Sequence, residues 1–166
     1  MAKYRVKASF RKQSEERLRR VAHAGEVLVD GDALKGVALK PELNTGDEYC
    51  VDHEKFITVK QVLLKLKRLE DGDIGVVAWR PFKNEADMTV PADVHPLTVR
   101  PGNHPISPAM AEAFAGRVGV QELSMRGFPL LSVCAPIRDS LDDVVGVVEV
   151  FASLVPDKFR VNKMAD

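Results

Sequence analysis

Apolar residues near the start of the chain recur at the spacing of an amphipathic helix, with charged residues between them. The stripe consists of Phe10, Leu18, Val21, Ala22, Gly25, Leu28 and Val29. Asp30-Gly31-Asp32 is expected to end this helix, and Ala33 to Leu39 to form a further short turn before Pro41. A long N-terminal helix is therefore the first predicted element.

A second helix is predicted after Thr45. Thr45 and Glu48 have the spacing of a capping box, in which two side chains satisfy backbone N–H groups at the start of a helix. The apolar residues that follow fall on one face: Tyr49, Phe56, Val59, Leu63 and Leu66. Asp71-Gly72-Asp73 is expected to end this helix.

A strand and a long irregular segment come next. Ile74 to Arg80 is a short apolar run typical of a buried strand, and Pro81 is expected to end it. Residues 82–105 are rich in Pro, Asn, Asp and Gly, which predicts an irregular excursion with strand-like islands at 88–90 and 97–99. Long ordered loops of this kind either carry function or simply connect elements.

The last part of the chain predicts a short helix and three strands. Ser107 suits the N-cap and Pro108 the first position of a helix that stops at Gly116. β-branched and apolar residues then predict strands over 118–126, 128–137 and 144–154. A polar turn joins the last two strands into a β-hairpin.

Length and charge narrow the class of protein. The 166 residues fit one domain, and 24 basic residues balance 24 acidic ones, so no overall field attracts nucleic acid and no nucleic-acid partner is expected. The first twenty residues are basic, which indicates either a solvated helix face or a lipid-facing segment. The sequence has neither an apolar run of roughly eighteen residues nor the pattern of a signal peptide.

Candidate catalytic and metal-binding residues are few. Cys50 and Cys134 are either separately buried thiols or a single bridge. Cys50 and His53 alone have ligand-like local spacing, which falls short of a zinc signature. Cys134 lies in mid-strand, where a thiol is normally inert, and no nucleophile elbow or phosphate-binding loop is present. No catalytic residue, metal or cofactor is predicted, and we expect a protein that is not an enzyme.

The C-terminal third resembles a known family. Residues 129–139 (PLLSVCAPIRD) lead into Asp142-Asp143 and then residues 144–151 (VVGVVEVF). This order of apolar strand, Pro-Ile-Arg-Asp, acidic turn and valine-rich strand resembles the last hairpin of a single Cache domain, a PAS-like ligand-sensing module of bacterial signalling receptors. The element order of nearly the whole chain is also similar to that family. A GAF domain shares the final hairpin pattern and is a close competitor.

The resemblance implies a fold and a domain layout. The fold would be α+β and PAS-like, a central antiparallel sheet of about five strands with the long N-terminal helix and further helices packed on it. Residues 1–166 would form one sensor domain, with a helical half over 1–70 and a sheet with a long loop and short helix over 71–166.

The resemblance also implies a function in bacterial signal transduction. A small molecule would bind between the sheet and the loop with its short helix, and the terminal elements would pass the change to an effector domain or partner protein absent from this chain. Such a region is extracytoplasmic in a membrane receptor if the chain is excised, and cytoplasmic if the chain is a complete gene product. The alternative is an interaction or dimerisation module that binds no ligand. In either case the first helix pairs with a copy of itself in a homodimer or packs on its own sheet.

Alternation along the last strand selects candidate ligand contacts. One face is expected to carry Val145, Val147, Glu149 and Phe151, and the other Val144, Gly146, Val148 and Val150. In Cache domains that resemble this chain, the position of Phe151 faces the pocket, which implies the same for Val147 and Glu149. A carboxylate on an apolar strand is costly unless it is paired. Glu149 therefore binds the ligand or forms an ion pair with Arg126 or Arg138.

The end of the first strand supplies the other candidates. Trp79 and Arg80 lie where Cache pockets place an aromatic and a base, and a guanidinium suits a carboxylate-bearing ligand. The alternative is a core Trp beside a surface Arg. Phe82, Met125 and Cys134 are expected either to line the cavity or to belong to the core. The complete set of predicted ligand-binding residues is Trp79, Arg80, Phe82, Arg126, Phe128, Val147, Glu149 and Phe151.

Overall fold

The computed structural model describes residues 7–37, 53–70, 73–92, 102–125 and 127–155. The helices in these ranges are α1 (Ala8–Leu28), α2 (Gly31–Gly36), α3 (His53–Lys67) and α4 (Pro108–Phe114). The strands are β1 (Ile74–Phe82), β2 (Glu85–Pro91), β3 (Asn103–Pro105), β4 (Gly119–Met125), β5 (Phe128–Arg138) and β6 (Val144–Ser153). The predicted α+β class is confirmed.

The strands form one antiparallel sheet in the order β3-β2-β1-β6-β5-β4. The central strands β1, β6 and β5 are buried over most of their length, because α1, α2 and α3 cover one face of the sheet and α4 packs on β5 and β6 from the other. The sheet has six strands, one more than expected, since the three-residue β3 adds to its edge beside β2.

Helices α1, α2 and α3 pack on one face of the sheet. Leu18, Val21 and Ala22 of α1 are fully buried there. Gly25 allows the closest approach, because a Cβ at this position would lie 3.0 Å from Cγ1 of Val148 on β6. The predicted amphipathic helix is confirmed, and its apolar stripe packs on the sheet of its own chain except at Leu28, which is 56% exposed.

Arg11, Arg19 and Arg20 of α1 lie in ion pairs with carboxylates of α1 and of neighbouring elements. The pairs are Arg11–Glu15, Arg11–Glu122, Arg19–Glu15 and Arg20–Glu70. Exposed pairs of this kind contribute at most about 1 kcal/mol each. The arrangement favours the interpretation of the basic start as a solvated helix face, for the part from residue 7 onward.

Helix α2 continues almost directly from α1. Asp30 is its N-cap and accepts hydrogen bonds from the backbone N–H groups of Asp32 and Ala33 at 2.9 and 3.1 Å. Gly31 lies against the carbonyl of Arg138 so closely that a Cβ would come within 2.2 Å of that oxygen. The predicted short turn after Asp30-Gly31-Asp32 is therefore a helix, fixed to the end of β5.

Helix α3 confirms the second predicted helix over the residues that are described. Val59, Leu63 and Leu66 are fully buried against the sheet, as their spacing predicts. The capping box at Thr45 and Glu48 lies outside the described residues.

The segment after β1 differs from the expectation. β1 continues through Pro81 to Phe82 and turns at Lys83, whose φ is 55°, into the seven-residue strand β2. Pro81 is tolerated because pairing of β1 with β6 ends at Trp79, so one edge of the strand is unpaired at the proline. The predicted irregular stretch thus contains a β-hairpin. The island at 97–99 lies outside the described residues.

The last three strands and the short helix lie where the sequence predicts them. Ser107 caps α4 by accepting a hydrogen bond from the N–H of Met110 at 3.3 Å, and Pro108 follows in the first turn. Gly116 and Gly127 have φ values of 90° and 80°, which glycine adopts without strain, at the turns after α4 and between β4 and β5.

One prediction about β6 is wrong. Val145 packs against the helical layer rather than sharing the face of Val147, because the pairing of β5 and β6 shifts register between Ile137 and Arg138. A register shift of this kind breaks the strict alternation of faces along a strand. Beyond Gly146 the predicted alternation holds, with Val148 and Val150 toward the helices and Val147 and Phe151 toward the opposite face.

Within the described ranges, no helix is both long enough and apolar enough to cross a membrane.

Candidate functional site

A cavity of about 230 Å³ lies on the face of the sheet opposite α1. Its floor is formed by β1, β5 and β6, and its walls by β2, β3, α4 and β4. The side chains that line it are Val77, Trp79, Met88, His104, Pro105, Ser107, Met110, Gln121, Leu123, Met125, Leu130, Glu149 and Phe151. A concave, mostly apolar site with a few converging polar groups is typical of small-molecule binding.

The apolar lining is rich in methionine. Met88, Met110 and Met125 lie on β2, α4 and β4, and they are three of the five methionines in the chain. A thioether side chain is unbranched and polarisable, so it adapts to ligands of different shape and contacts aromatic rings favourably. The walls of the cavity are therefore adaptable and suited to an apolar ligand body.

Glu149 is the buried acidic group of the cavity. Its Oε1 accepts a hydrogen bond from Nε1 of Trp79 at 3.2 Å, and its Oε2 accepts one from Oγ of Ser132 at 2.6 Å. Burial raises the pKa of Glu149 above its ordinary value, and the hydrogen bonds from Ser132 and Trp79 oppose that rise. The carboxyl group is thus held in place by two donors, and neither Lys nor Arg is among the described residues that line the cavity.

Trp79 joins this carboxyl group to the edge of the sheet. Its indole ring is buried on β1 and meets the ring of His104 on β3 edge-on, with ring centroids 5.7 Å apart. The ring of Trp79 lines the cavity, and its indole N–H donates to Glu149 and so holds the carboxyl group in place. Through His104, strand β3 contributes to the lining of the cavity.

Gln121 fastens α4 over the cavity. Its Nε2 donates to Oγ of Ser107 at 2.9 Å, and its Oε1 accepts from the N–H of Ala109 at 3.1 Å. Gln121 therefore bonds both the N-cap residue of α4 and one backbone N–H group of its first turn, which has no partner within the helix. This contact fixes the position of Met110, which α4 contributes to the lining.

Trp79, Glu149 and Phe151 are the sequence-predicted residues that the structure brings together in the cavity. Val147 lies in the same buried cluster without lining the cavity. Phe128 is half-buried at the start of β5 and is not part of the lining.

Two other candidates are not placed in the cavity. Phe82 borders a separate surface depression around the β1–β2 turn. Arg126, one of the two predicted ion-pair partners of Glu149, lies outside the described residues. Arg138, the other predicted partner, contacts Asp142 instead. Nη1 of Arg138 donates to the carbonyl of Asp142, and its Nε lies 3.9 Å from the carboxylate of that residue.

Arg80 lies on the other face of the sheet, which corrects the prediction that it shares a pocket with Trp79. Its Nη1 lies 3.1, 3.2 and 2.6 Å from the carbonyl oxygens of Leu34, Lys35 and Val37 at the end of α2. Neighbouring residues of a strand point to opposite faces, so Trp79 and Arg80 cannot line one cavity. The expectation of a carboxylate-bearing ligand depended on Arg80 and loses its support.

Sequence reasoning missed most of the walls. His104 and Met88 fall in the segment predicted to be irregular, and Met110 falls in the predicted short helix, where its spacing indicates no ligand contact. On β4 a signal was available, since Gln121, Leu123 and Met125 alternate and all three line the cavity.

Cys134 lies next to the acid without the properties of a nucleophile. It is fully buried on β5, and its Sγ is 4.0 Å from Oε2 of Glu149. Burial raises the pKa of this thiol well above its ordinary value, and the charge of Glu149 raises it further. The thiolate, which is the reactive form, is therefore disfavoured. Within the described ranges, no group of three or more His, Cys, Asp and Glu residues is arranged to hold a metal ion.

Compared with known protein families and with curated proteins, the sequence gives no match. Function is therefore inferred from the geometry of the cavity.

Replacing Glu149 with Gln should change how stability depends on pH. Because the folded protein holds the Glu149 proton more tightly than the unfolded chain, the wild type loses stability as pH rises from the ordinary pKa of 4.5 through the raised one. Gln keeps one acceptor for Trp79 and a donor for Ser132, and does not titrate. As pH rises through this range, the free energy of unfolding of the variant should increase relative to that of the wild type. The increase should be about 1.4 kcal/mol for each unit by which the pKa of Glu149 is raised.

Urea unfolding of both proteins at about pH 5 and about pH 8 measures this difference. The other ionisable groups are common to the two proteins, and Cys134, whose pKa Glu149 also raises, stays protonated in both because burial is the main cause of its raised pKa, so these contributions cancel. Parallel stability profiles would show that Glu149 titrates normally in the folded state.

Proposed function

We propose that this chain is the small-molecule sensing domain of a bacterial signal-transduction protein, with its ligand bound in the cavity between the sheet and α4. The observation that carries the proposal is the cavity itself, in which a buried acid is held by two donors among adaptable apolar walls. A binding module that only packs against other proteins has no need of such a site. A role in binding rather than catalysis is part of the proposal.

The order of elements supports a PAS-like domain of the Cache type. Helices α1 to α3 precede the β1–β2 hairpin, α4 follows it, and β4 to β6 complete the sheet, as expected from the resemblance. We propose the extracytoplasmic side of a membrane receptor as the location of such a domain when it belongs to a longer chain, and the cytoplasm when it stands alone.

β6 offers a route from ligand to output. Glu149 and Phe151 line the cavity on one face of β6. Val148, on the face of β6 toward the helices, lies against Gly25 of α1. A ligand that pulls on Glu149 therefore acts on the strand against which α1 is packed. A change in the position of α1 would be passed to an effector or partner protein as a shift between two populations.

The alternative is an interaction or dimerisation module with the same fold. That function predicts a sheet face filled by its own side chains, whereas the described residues leave a cavity of about 230 Å³. The open cavity favours the sensor.

A thermal-shift screen tests the proposal. Small amines, amino acids, carboxylates, aromatic compounds and purines are added one at a time, and a ligand at a hundredfold excess over Kd should stabilise the domain by about 2.7 kcal/mol. Leu123→Trp should abolish every shift found with the wild type, because Leu123 lines the cavity but is 36% exposed, so a larger side chain can enter without disturbing the core.

Leu141→Trp is the matched control. Leu141 is 78% exposed in the β5–β6 turn, away from the cavity, and this variant should keep every shift. A folded wild type that no compound stabilises would contradict the sensor and leave the interaction module. Shifts that survive Leu123→Trp would mean that the ligand binds elsewhere.

A further inference from the structure

We infer that the ligand of this cavity is a small organic amine with an apolar body, bound with its ammonium group against Glu149. This inference rests on the proposed function, since it names the ligand class of the same site. It replaces the carboxylate-bearing ligand expected from the sequence.

The hydrogen bonds of Glu149 leave room for a cation. Indole N–H groups only donate, so Oε1 of Glu149 must act as an acceptor toward Trp79. A carboxylate has about four acceptor positions, and Trp79 and Ser132 occupy two of them. The side chain also borders the cavity, so a bound donor can reach the carboxyl group directly.

The charge balance of the cavity points in the same direction. Among its described lining residues Glu149 is the acidic one, neither Lys nor Arg is present, and the ring of His104 meets that of Trp79 edge-on. A buried carboxylate without a counter-ion is costly, which is why burial raises the pKa of Glu149. A ligand ammonium supplies the missing counter-charge, whereas a ligand carboxylate would bring a second negative charge beside the first.

The apolar lining defines the rest of the ligand. An apolar cavity of roughly 150 Å³ holds benzene, so about 230 Å³ accommodates one ring with a short side chain. The rings of Trp79 and Phe151 add aromatic faces that favour both a ring and an ammonium group. Met88, Met110 and Met125 adjust to the shape of the body.

Three probes of nearly equal size test the inference: 2-phenylethylamine, 2-phenylethanol and phenylacetate. Isothermal titration calorimetry near neutral pH gives the Kd of each for the wild type. The amine should bind at least about tenfold more tightly than the alcohol, since a charge-assisted hydrogen bond exceeds a neutral one by roughly 1.4 kcal/mol or more. Phenylacetate should bind more weakly than either.

Glu149→Gln separates charge from shape, because the amide preserves the bonds to Trp79 and Ser132. It should weaken binding of the amine at least about tenfold and change that of the alcohol less than about threefold. Glu16→Gln on the exposed side of α1 is the matched control and should leave all three affinities unchanged.

The outcomes distinguish the inference from the proposed function. If the alcohol binds the wild type as tightly as the amine, or if Glu149→Gln leaves their ratio unchanged, the amine is the wrong class while the sensor stands. If none of the three probes binds and every ligand that the wider screen finds lacks an amino group, the inference again fails alone. If the wider screen is also empty, the proposed function fails as well.

Discussion

Replacing Arg80 with alanine should lower the free energy of unfolding by about 3 kcal/mol and leave ligand binding in the cavity unchanged. Arg80 is 8% exposed, and its guanidinium bonds the carbonyls of Leu34, Lys35 and Val37. Its Nε also donates to Oγ1 of Thr89 at 3.1 Å on the neighbouring strand. One side chain thus joins the end of α2 to β1 and β2.

The size of the effect follows from the buried carbonyls. The last carbonyls of a helix have no partner within the helix, and α2 has only six residues, so an outside donor satisfies several of them. Alanine removes that donor and leaves the carbonyl oxygens of Leu34 and Val37 buried without it, at a cost of about 1–3 kcal/mol for each group that no water reaches. Arg80→Lys should recover only part of the loss, since an ammonium group lacks the planar fork of a guanidinium.

Arg20→Ala is the matched control for this prediction. The side chain of Arg20 is 66% exposed in a pair with Glu70, so its loss should cost less than about 1 kcal/mol. Urea unfolding measures both variants, and calorimetric titration with a ligand from the screen measures binding. If Arg80→Ala is as stable as the wild type, the bonds to α2 contribute little. If it folds but no longer binds, Arg80 acts on the cavity after all.

Replacing Trp79 with alanine should cost about 3–5 kcal/mol and abolish ligand binding. The indole is 2% exposed, fills the space between β1 and the cavity, and contacts His104. Alanine would enlarge the cavity and remove the donor that holds Oε1 of Glu149. Both losses fall on one residue, which is why we expect it to be the most sensitive position of the site.

Trp79→Phe separates the two losses. Phenylalanine keeps most of the packing but has no N–H, so this variant should cost about 1–3 kcal/mol, mainly for the unsatisfied carboxyl oxygen. In a Glu149→Leu background the same change should cost much less, because the acceptor is gone and the indole N–H is itself unsatisfied.

Thermal and urea unfolding of the single and double variants give the coupling between Trp79 and Glu149. A coupling near zero would mean that the 3.2 Å hydrogen bond contributes nothing to stability. Equal costs for Trp79→Phe and Trp79→Ala would place the whole effect in that hydrogen bond and none in the packing of the ring.

The residues of the site differ in how far the sequence could reveal them. Glu149 and Phe151 were predictable, because alternation on a valine-rich strand places them two residues apart on one face. The same rule places Trp79 and Arg80 on opposite faces, although the family resemblance implies one pocket for both. His104 and Met88 were not predictable, since they reach the cavity only through the pairing of β1, β2 and β3.

The register shifts mark a second limit. Pairing changes register between Ala78 and Trp79 and again between Ile137 and Arg138, and the second shift turns Val145 toward the helices. A bulge inserts one residue on one strand against its partner, so it depends on both strands together. A single strand, considered alone, predicts unbroken alternation.

The sequence by itself determined the elements of this protein: the amphipathic α1, the capped α4 and the three strands β4 to β6. These depend on spacing and capping within a few residues, which the local order of the chain specifies. Only the tertiary structure decided that Arg80 bonds the end of α2 and that Glu149 accepts hydrogen bonds from Trp79 and Ser132. It also decided that a cavity remains on the face of the sheet that carries Glu149. Those contacts join residues far apart along the chain, and the packing of all elements together selects them.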